Sequence, residues 1–179
     1  MKKLCMILSL ALILCFMVGC QDKEARAELE AMKAQAAVEE QNKEVVRKML
    51  AEIDNENLDG VMETLSPNLQ WYFPSHSPSP LSKEGAQELL TMFLKSFPKW
   101  EHKIEELIAV GNKVITRQVD ITTQTEEFQG IPPSGDKIEF GVIIIWTLED
   151  GKIVEMREEG DMLGFYQQLG MELKPKEGE

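Results

Sequence analysis

The groups in this chain best placed to do chemistry are acids and imidazoles set among apolar neighbours. His102 and Glu106 alternate with Trp100, Ile104 and Ile108, so an extended segment puts both polar groups on an apolar face. They read either as a satisfied core pair or as donors into a pocket. Asp120 stands in Val119-Asp120-Ile121 and shares a strand face with Thr116, Gln118, Thr122 and Gln124, while Ile115, Val119 and Ile121 share the other face with Arg117. A polar face on a sheet that must pack a core is either solvated or lines a pocket. A solvated face, or the rim of a dimer, is the expectation here, with a structural ion pair for Arg117. Asp161 precedes a short apolar helix and can cap it through its carboxylate. A general base wants an apolar pocket instead, and both readings stay open. His76 lies in a Pro/Ser loop and is expected to be exposed. The two histidines are 26 positions apart with no patterned carboxylate cluster, so no metal site is expected. Neither a phosphate-cradling Gly loop nor a nucleophile elbow is present.

Several elements must position these groups. Residues 21–41 are rich in Ala, Glu, Lys and Gln without Pro or Gly, which suits a helix. Leu29, Met32 and Val38 are too sparse for a coiled-coil seam, so a solvated helical tether is expected, with a partner-binding helix as the alternative. Val45, Val46, Met49, Leu50 and Ile53 then repeat at helical spacing, and Leu58, Val61, Met62 and Leu65 predict a second helix that Pro67 stops. Residues 69–73 predict a strand and 74–80 an irregular loop. Ala86, Leu89, Leu90, Phe93, Leu94 and Phe97 predict a clear helix closed by Pro98. After Trp100 the period changes to that of a strand, with a turn at Gly111-Asn112, a return over 113–125, and a long strand over 136–149. In the last of these, Val142 to Trp146 is continuously apolar and is expected to be buried on both faces. Asp150-Gly151 predicts a tight hairpin into a strand over 152–159, and a final helix over 162–169 ends at Gly170. Helices first and a meander afterwards make an α+β domain, expected over residues 42–173, with 174–179 as a disordered tail.

The N-terminus has a different logic. Lys2 and Lys3 precede an apolar run from Leu4 to Val18 that is too short for a typical span and suits a cleavable signal. It ends in Met17-Val18-Gly19-Cys20, which resembles a bacterial lipobox with Met in place of the usual Leu. The resemblance implies that residues 1–19 are removed and that Cys20 carries the lipid, giving an exported protein anchored in the cell or outer membrane. Two or three acyl chains hold a protein at a bilayer almost permanently. Cys5 and Cys15 leave with the signal, so the mature chain keeps no free thiol for disulfide, nucleophile or zinc chemistry. Acidic side chains outnumber basic ones 31 to 19 and the net charge is −12. Such a chain repels nucleic acid and anionic headgroups.

Four motifs in order carry a further resemblance: Asn42-Lys43-Glu44-Val45-Val46, Phe128 to Gly135 (Phe-Gln-Gly-Ile-Pro-Pro-Ser-Gly), Glu149-Asp150-Gly151-Lys152-Ile153-Val154-Glu155, and Asp161 to Gly170. Together they resemble the SnoaL-like polyketide cyclase and ester cyclase family, over about 130 residues from Asn42 to Met171. The resemblance implies a nuclear-transport-factor-2-like fold, in which a curved antiparallel sheet wraps around helices to leave a conical pocket. It also implies that Asp161 matches the family's general base. Histidines common in the family are replaced here by Tyr72, by the Thr122 to Glu126 run and by Met156. Two functions follow as expectations. One is a cofactor-free cyclase, isomerase or hydrolase acting on a small hydrophobic carbonyl compound. Asp161 would be its base, with Tyr72, His102, Gln124 and either Arg157 or Glu158 at the pocket, since those two neighbours point to opposite faces. The other is a lipoprotein that keeps the pocket as a binding module without the chemistry. A homodimer through Ile143 and Ile145, or their even-numbered neighbours, is expected because a single-layer sheet buries only one face on its own helices.

Overall fold

The computed structural model describes residues 2–175, with side chains from residue 23 onward. The chain divides into two units, 1–38 and 39–179. In the first, the described side chains from Lys23 to Val38 are all exposed and belong to helix α1 (Lys2–Asp54); Lys33 pairs with Glu30 one turn away. The Cys20 side chain and the end of the expected tail, 176–179, lie outside the described residues. Among the described residues no helix is long and apolar enough to cross a membrane.

The second unit begins within α1, where Asn42, Val46, Met49, Leu50 and Ile53 are buried at steps of three and four that keep one helix face inward. Then come α2 (Leu58–Thr64), β1 (Leu65–Tyr72), α3 (Lys83–Ser96), β2 (Glu101–Val110), β3 (Lys113–Thr123), β4 (Lys137–Glu149), β5 (Lys152–Gly160) and α4 (Met162–Gln168). This is the expected α+β order, with one shift at its start. α2 ends at Thr64, and Pro67 sits inside β1, an edge strand that can tolerate a missing N–H.

The five strands form one curved sheet in the order β1-β5-β4-β3-β2. β2 to β5 are antiparallel neighbours, but β1 pairs with β5 in parallel, so the sheet is mixed rather than purely antiparallel. The physical reason is the connection. β1 and β5 are joined through α3 and three strands, and that long crossover permits a parallel pairing that a hairpin forbids. The turn from β4 to β5 has Asp150 at φ 48° and Gly151 at φ 71°. Positive φ at both central positions is the twist-matched hairpin turn.

β4 alternates strictly, with Val142, Ile144 and Trp146 buried. Ile143 and Ile145 keep 48% and 38% of their surface exposed, so the chain alone buries only one face of this run. Facing that inner side is an aromatic cluster. Phe97 meets Phe128 with centroids 4.9 Å apart, and Phe140 meets Phe165 at 5.1 Å, both edge-on as ring quadrupoles favour. The cluster fixes α3 and α4 against the sheet and so fixes the walls of the cavity between them.

Candidate active site

A cavity of about 90 Å³ lies on the inner face of the sheet. Its walls are mostly apolar: Met49, Leu50 and Ile53 of α1, Leu89, Leu90, Phe93 and Leu94 of α3, Phe140, Ile144 and Trp146 of β4, and Met162 and Phe165 of α4. Into it point His102 from β2, Gln118 and Asp120 from β3, and Glu158 from β5, with Trp71 and Trp100 beside them. His102 and Asp120 face each other as cross-strand partners, which puts their side chains on one surface of the sheet.

The polar face of β3 is therefore buried and not solvated. Thr116, Gln118, Asp120, Thr122 and Gln124 are each at most 6% exposed. β3 lies between β2 and β4 with helices over this face, and its apolar Ile115 looks outward. Thr116, Thr122, Gln118 and Asp120 each have a specific partner. The Trp146 indole N–H donates to Thr116 Oγ1 at 3.1 Å, Thr122 Oγ1 donates to the Pro98 carbonyl at 3.0 Å, and Gln118 Nε2 donates to Asp120 Oδ1 at 2.8 Å. Most buried polar atoms in folded proteins are paired in this way.

A shift of register in β2 sorts His102 from Glu106. The pairing with β3 slips between Ile104 and Glu106, and a bulge of this kind reverses which side chains point inward. His102 and Ile104 face the core, while Glu106 and Ile108 face outward, and Glu106 binds Arg117 at 2.8 Å. Arg117 also pairs with Glu105, the ion pair expected for it. Strict alternation places Glu106 beside His102; the bulge removes it from that face.

At the centre, His102 Nδ1 lies 2.5 Å from Asp54 Oδ1, and Asp54 also accepts the His102 backbone N–H at 3.2 Å. The helix α1 thus ends by gripping both the ring and the backbone of one residue. Nδ1 is committed to Asp54, which leaves Nε2 for the cavity side, 4.0 Å from Asp120 Oδ2. Burial disfavours the charged imidazole, but the Asp54 hydrogen bond and the charges of Asp120, Asp54 and Glu158 outweigh it, and the pKa of His102 is raised. Burial also raises the pKa of Asp120, against the opposing pull of His102 and Gln118. Glu158 is raised from 4.5 to about 7 by burial and by the charge of Asp120, with the Trp71 hydrogen bond and His102 acting the other way. Glu158 keeps some accessible surface, as a cavity-lining group must, while its carboxyl is enclosed by protein. The Trp71 indole N–H donates to Glu158 Oε2 at 3.0 Å, so Oε1 is the oxygen left for a ligand. Three groups with shifted proton affinity in one apolar cavity form an acid–base constellation. Among the described residues no group of three or more His, Cys, Asp or Glu side chains is arranged to hold a metal ion.

The family model of SnoaL-like polyketide cyclases matches residues 43–169. The chain belongs to that family. No curated protein matches it in sequence. Among solved structures it is similar to AclR, a candidate hydroxylase from Streptomyces galilaeus, at 23% identity and a TM-score of 0.68, covering 74% of this chain and 97% of that one. It is also similar to IdmH, a candidate polyketide cyclase from Streptomyces antibioticus, at 22% identity and a TM-score of 0.63, covering 73% and 99%. An epoxide hydrolase of the LEH-like kind from M. tuberculosis matches at 21% and 0.58, covering 72% and 89%. At these identities the likeness is one of fold.

Within this family member the residues singled out from the sequence divide. The structure brings His102 and Glu158 together in the cavity. Arg157, on the opposite face of β5, lies 4.0 Å over the Tyr72 ring and bonds Glu155 and the Ser75 carbonyl; neither Arg157 nor Tyr72 borders the cavity. Gln124 is buried, but its amide donates to the carbonyls of Glu126 and Ile131 and so pins the 125–131 loop. Asp161 is an exposed helix cap whose Oδ1 accepts the Gly164 N–H at 2.9 Å, and it does not line the cavity. A short helix starting at the end of β5 turns its first residue outward and its next ones, Met162 and Phe165, inward. His76 is exposed beside Glu159. From the sequence Asp54 was passed over, and Trp71 and Gln118 were given no role of their own. Gln118 carried a signal, its place on the same alternating face as Asp120; Asp54 and Trp71 carried none, because their partners lie 48 and 87 positions away.

Proposed function

We propose that this SnoaL-like protein is a cofactor-free acid–base enzyme of the cyclase or hydrolase type, acting on a small hydrophobic carbonyl compound. We further propose that it works outside the cytoplasm, held to a membrane by lipid on Cys20. The observation that carries the catalytic reading is the convergence of Glu158, Asp120 and His102 in one apolar cavity, with Glu158 near neutrality. A catalytic group works best when its pKa lies close to the working pH. Ionised Glu158 takes the proton from the carbon next to the substrate carbonyl through Oε1. The C–H electron pair moves into the C–C bond, and the negative charge settles on the carbonyl oxygen. His102, whose charged form Asp54 and Asp120 favour, offsets that charge inside a cavity of low dielectric, where such interactions are strong. The resulting enolate either attacks a second carbonyl carbon in the same molecule, whose C=O π pair becomes an alkoxide that takes the proton back from Glu158, or recovers that proton at carbon. The base is thus assigned to Glu158, and Asp161 is left as a cap.

The test uses acetophenone in D₂O with the full-length chain, following loss of the methyl proton signal by NMR. Exchange above the buffer rate in the wild type, abolished in Glu158→Gln, supports the reading. Binding without exchange identifies a ligand-binding module, and exchange that survives Glu158→Gln removes Glu158 from the mechanism.

A further inference from the structure

Two polar atoms at the cavity wall have no hydrogen-bond partner among the described residues: Gln118 Oε1 and Trp100 Nε1. Native proteins leave few such groups buried, and each one calls for a reason. Gln118 is 1% exposed, and its orientation is settled by chemistry. With Asp120 ionised, its carboxylate oxygen accepts from the amide nitrogen at 2.8 Å, and the carbonyl oxygen points elsewhere. Trp100 is equally constrained. Its ring stacks on His102 with centroids 5.8 Å apart and 16° between planes, and it meets Phe140 edge-on at 6.3 Å. An indole nitrogen only donates.

Position along the sheet gives these atoms an order. Gln118 pairs with Ile104, Asp120 pairs with His102, and Trp100 lies two residues beyond His102 on the same inward row. One acceptor and one donor therefore flank the His102–Asp120 pair, one on each side. Both residues belong to the cavity lining.

We propose that Gln118 and Trp100 are the specificity-determining pair of this cavity, selecting an apolar ligand that carries an O–H or N–H donor at one end and a carbonyl-type acceptor at the other. Gln118 Oε1 accepts from the donor, Trp100 Nε1–H donates to the acceptor, and the ligand spans the acid–base groups between them. The inference rests on the acid–base reading for what happens to the ligand, but selection itself is an equilibrium property and stands apart from turnover. A site built to hydrogen-bond a ligand discriminates against one lacking the group, because its own buried atom is then left unpaired.

The probes are 4-hydroxyacetophenone, with both groups, acetophenone, with the acceptor alone, and 4-ethylphenol, with the donor alone. Affinities for the full-length chain are measured by titration calorimetry. The wild type is expected to bind 4-hydroxyacetophenone about tenfold more tightly than either of the others. Gln118→Met should abolish the advantage over acetophenone, and Trp100→Phe should abolish the advantage over 4-ethylphenol. A merely structural role would weaken all three probes alike. The proposal is overturned if the wild type binds the three within twofold of each other, if it binds none of them, or if folded variants keep the wild-type preferences. The wild-type comparison decides the matter even where a variant does not fold. Selective binding with no proton exchange would leave this inference standing and sink the catalytic one; exchange without selectivity would do the reverse.

Discussion

Replacing Glu158 by Gln tests burial and function at once, with opposite signs. Burial and the neighbouring Asp120 lift the carboxyl from 4.5 to about 7. Between those values the folded chain holds a proton that the unfolded chain has released, so stability falls as pH rises from about 4.5 and levels off above about 7. At about 1.4 kcal/mol for each tenfold change in proton affinity, the full penalty at pH 8 is about 3 kcal/mol. Gln has nearly the same shape, carries no charge and still accepts the Trp71 N–H, so the variant should recover most of that penalty. In a chain of this size about 1 kcal/mol moves Tm by about 2–4 °C. The variant is therefore expected to melt about 6–12 °C above the wild type at pH 8, with the gap closing toward zero at pH 4, and to lose proton exchange. The assay is thermal unfolding followed by circular dichroism across that pH range. A variant no more stable than the wild type at pH 8, or an equal gap at both ends, would refute the claim that an enclosed carboxyl is held near neutrality. Gained stability with lost activity is the usual relation at a site strained for function.

Four other outcomes can be checked. Asp54→Asn keeps an acceptor for the His102 backbone N–H but removes the charged partner of the ring, so the imidazole should titrate at lower pH than in the wild type; an unchanged NMR titration counts against the Asp54–His102 pair. Asp161→Asn should leave both Tm and exchange unchanged because it preserves the cap, whereas Asp161→Ala should cost about 0.5–2 kcal/mol; loss of exchange in Asp161→Asn would return the base to that residue. Intact mass of the membrane-extracted protein should show an acylated N-terminus at Cys20, and normal membrane retention of Cys20→Ala would end the lipoprotein reading. Ile115, Ile143 and Ile145 stand part-exposed on the outer face of adjacent strands; the expected homodimer over this face should appear in light scattering and be lost in Ile143→Glu, and a wild-type monomer at tens of micromolar (an order-of-magnitude working range) refutes it.

The order of elements was legible in the sequence because it is written in local terms. Helical spacing from Val45 to Ile53 and from Ala86 to Phe97, the Asp150-Gly151 turn, and the cap at Asp161 each depend on residues a few positions apart. Motif order likewise sufficed to place the chain in its family. The expectation that only one of Arg157 and Glu158 could face the pocket also followed from alternation alone, but not which one. Tertiary structure decided the rest. A polar stripe such as Thr116 to Gln124 reads the same whether water or helices cover it, and only the packing of α1, α3 and α4 shows that it is enclosed. The bulge after Ile104 depends on pairing with β3, so the separation of His102 from Glu106 was not visible in either strand alone. Asp54 meets His102, and Trp71 meets Glu158, across 48 and 87 positions of chain. Those contacts exist only after the sheet curves around the helix; burial in that fold lifts the Glu158 carboxyl toward neutrality against the pull of the Trp71 hydrogen bond, and the Asp54 contact raises the proton affinity of His102 against burial.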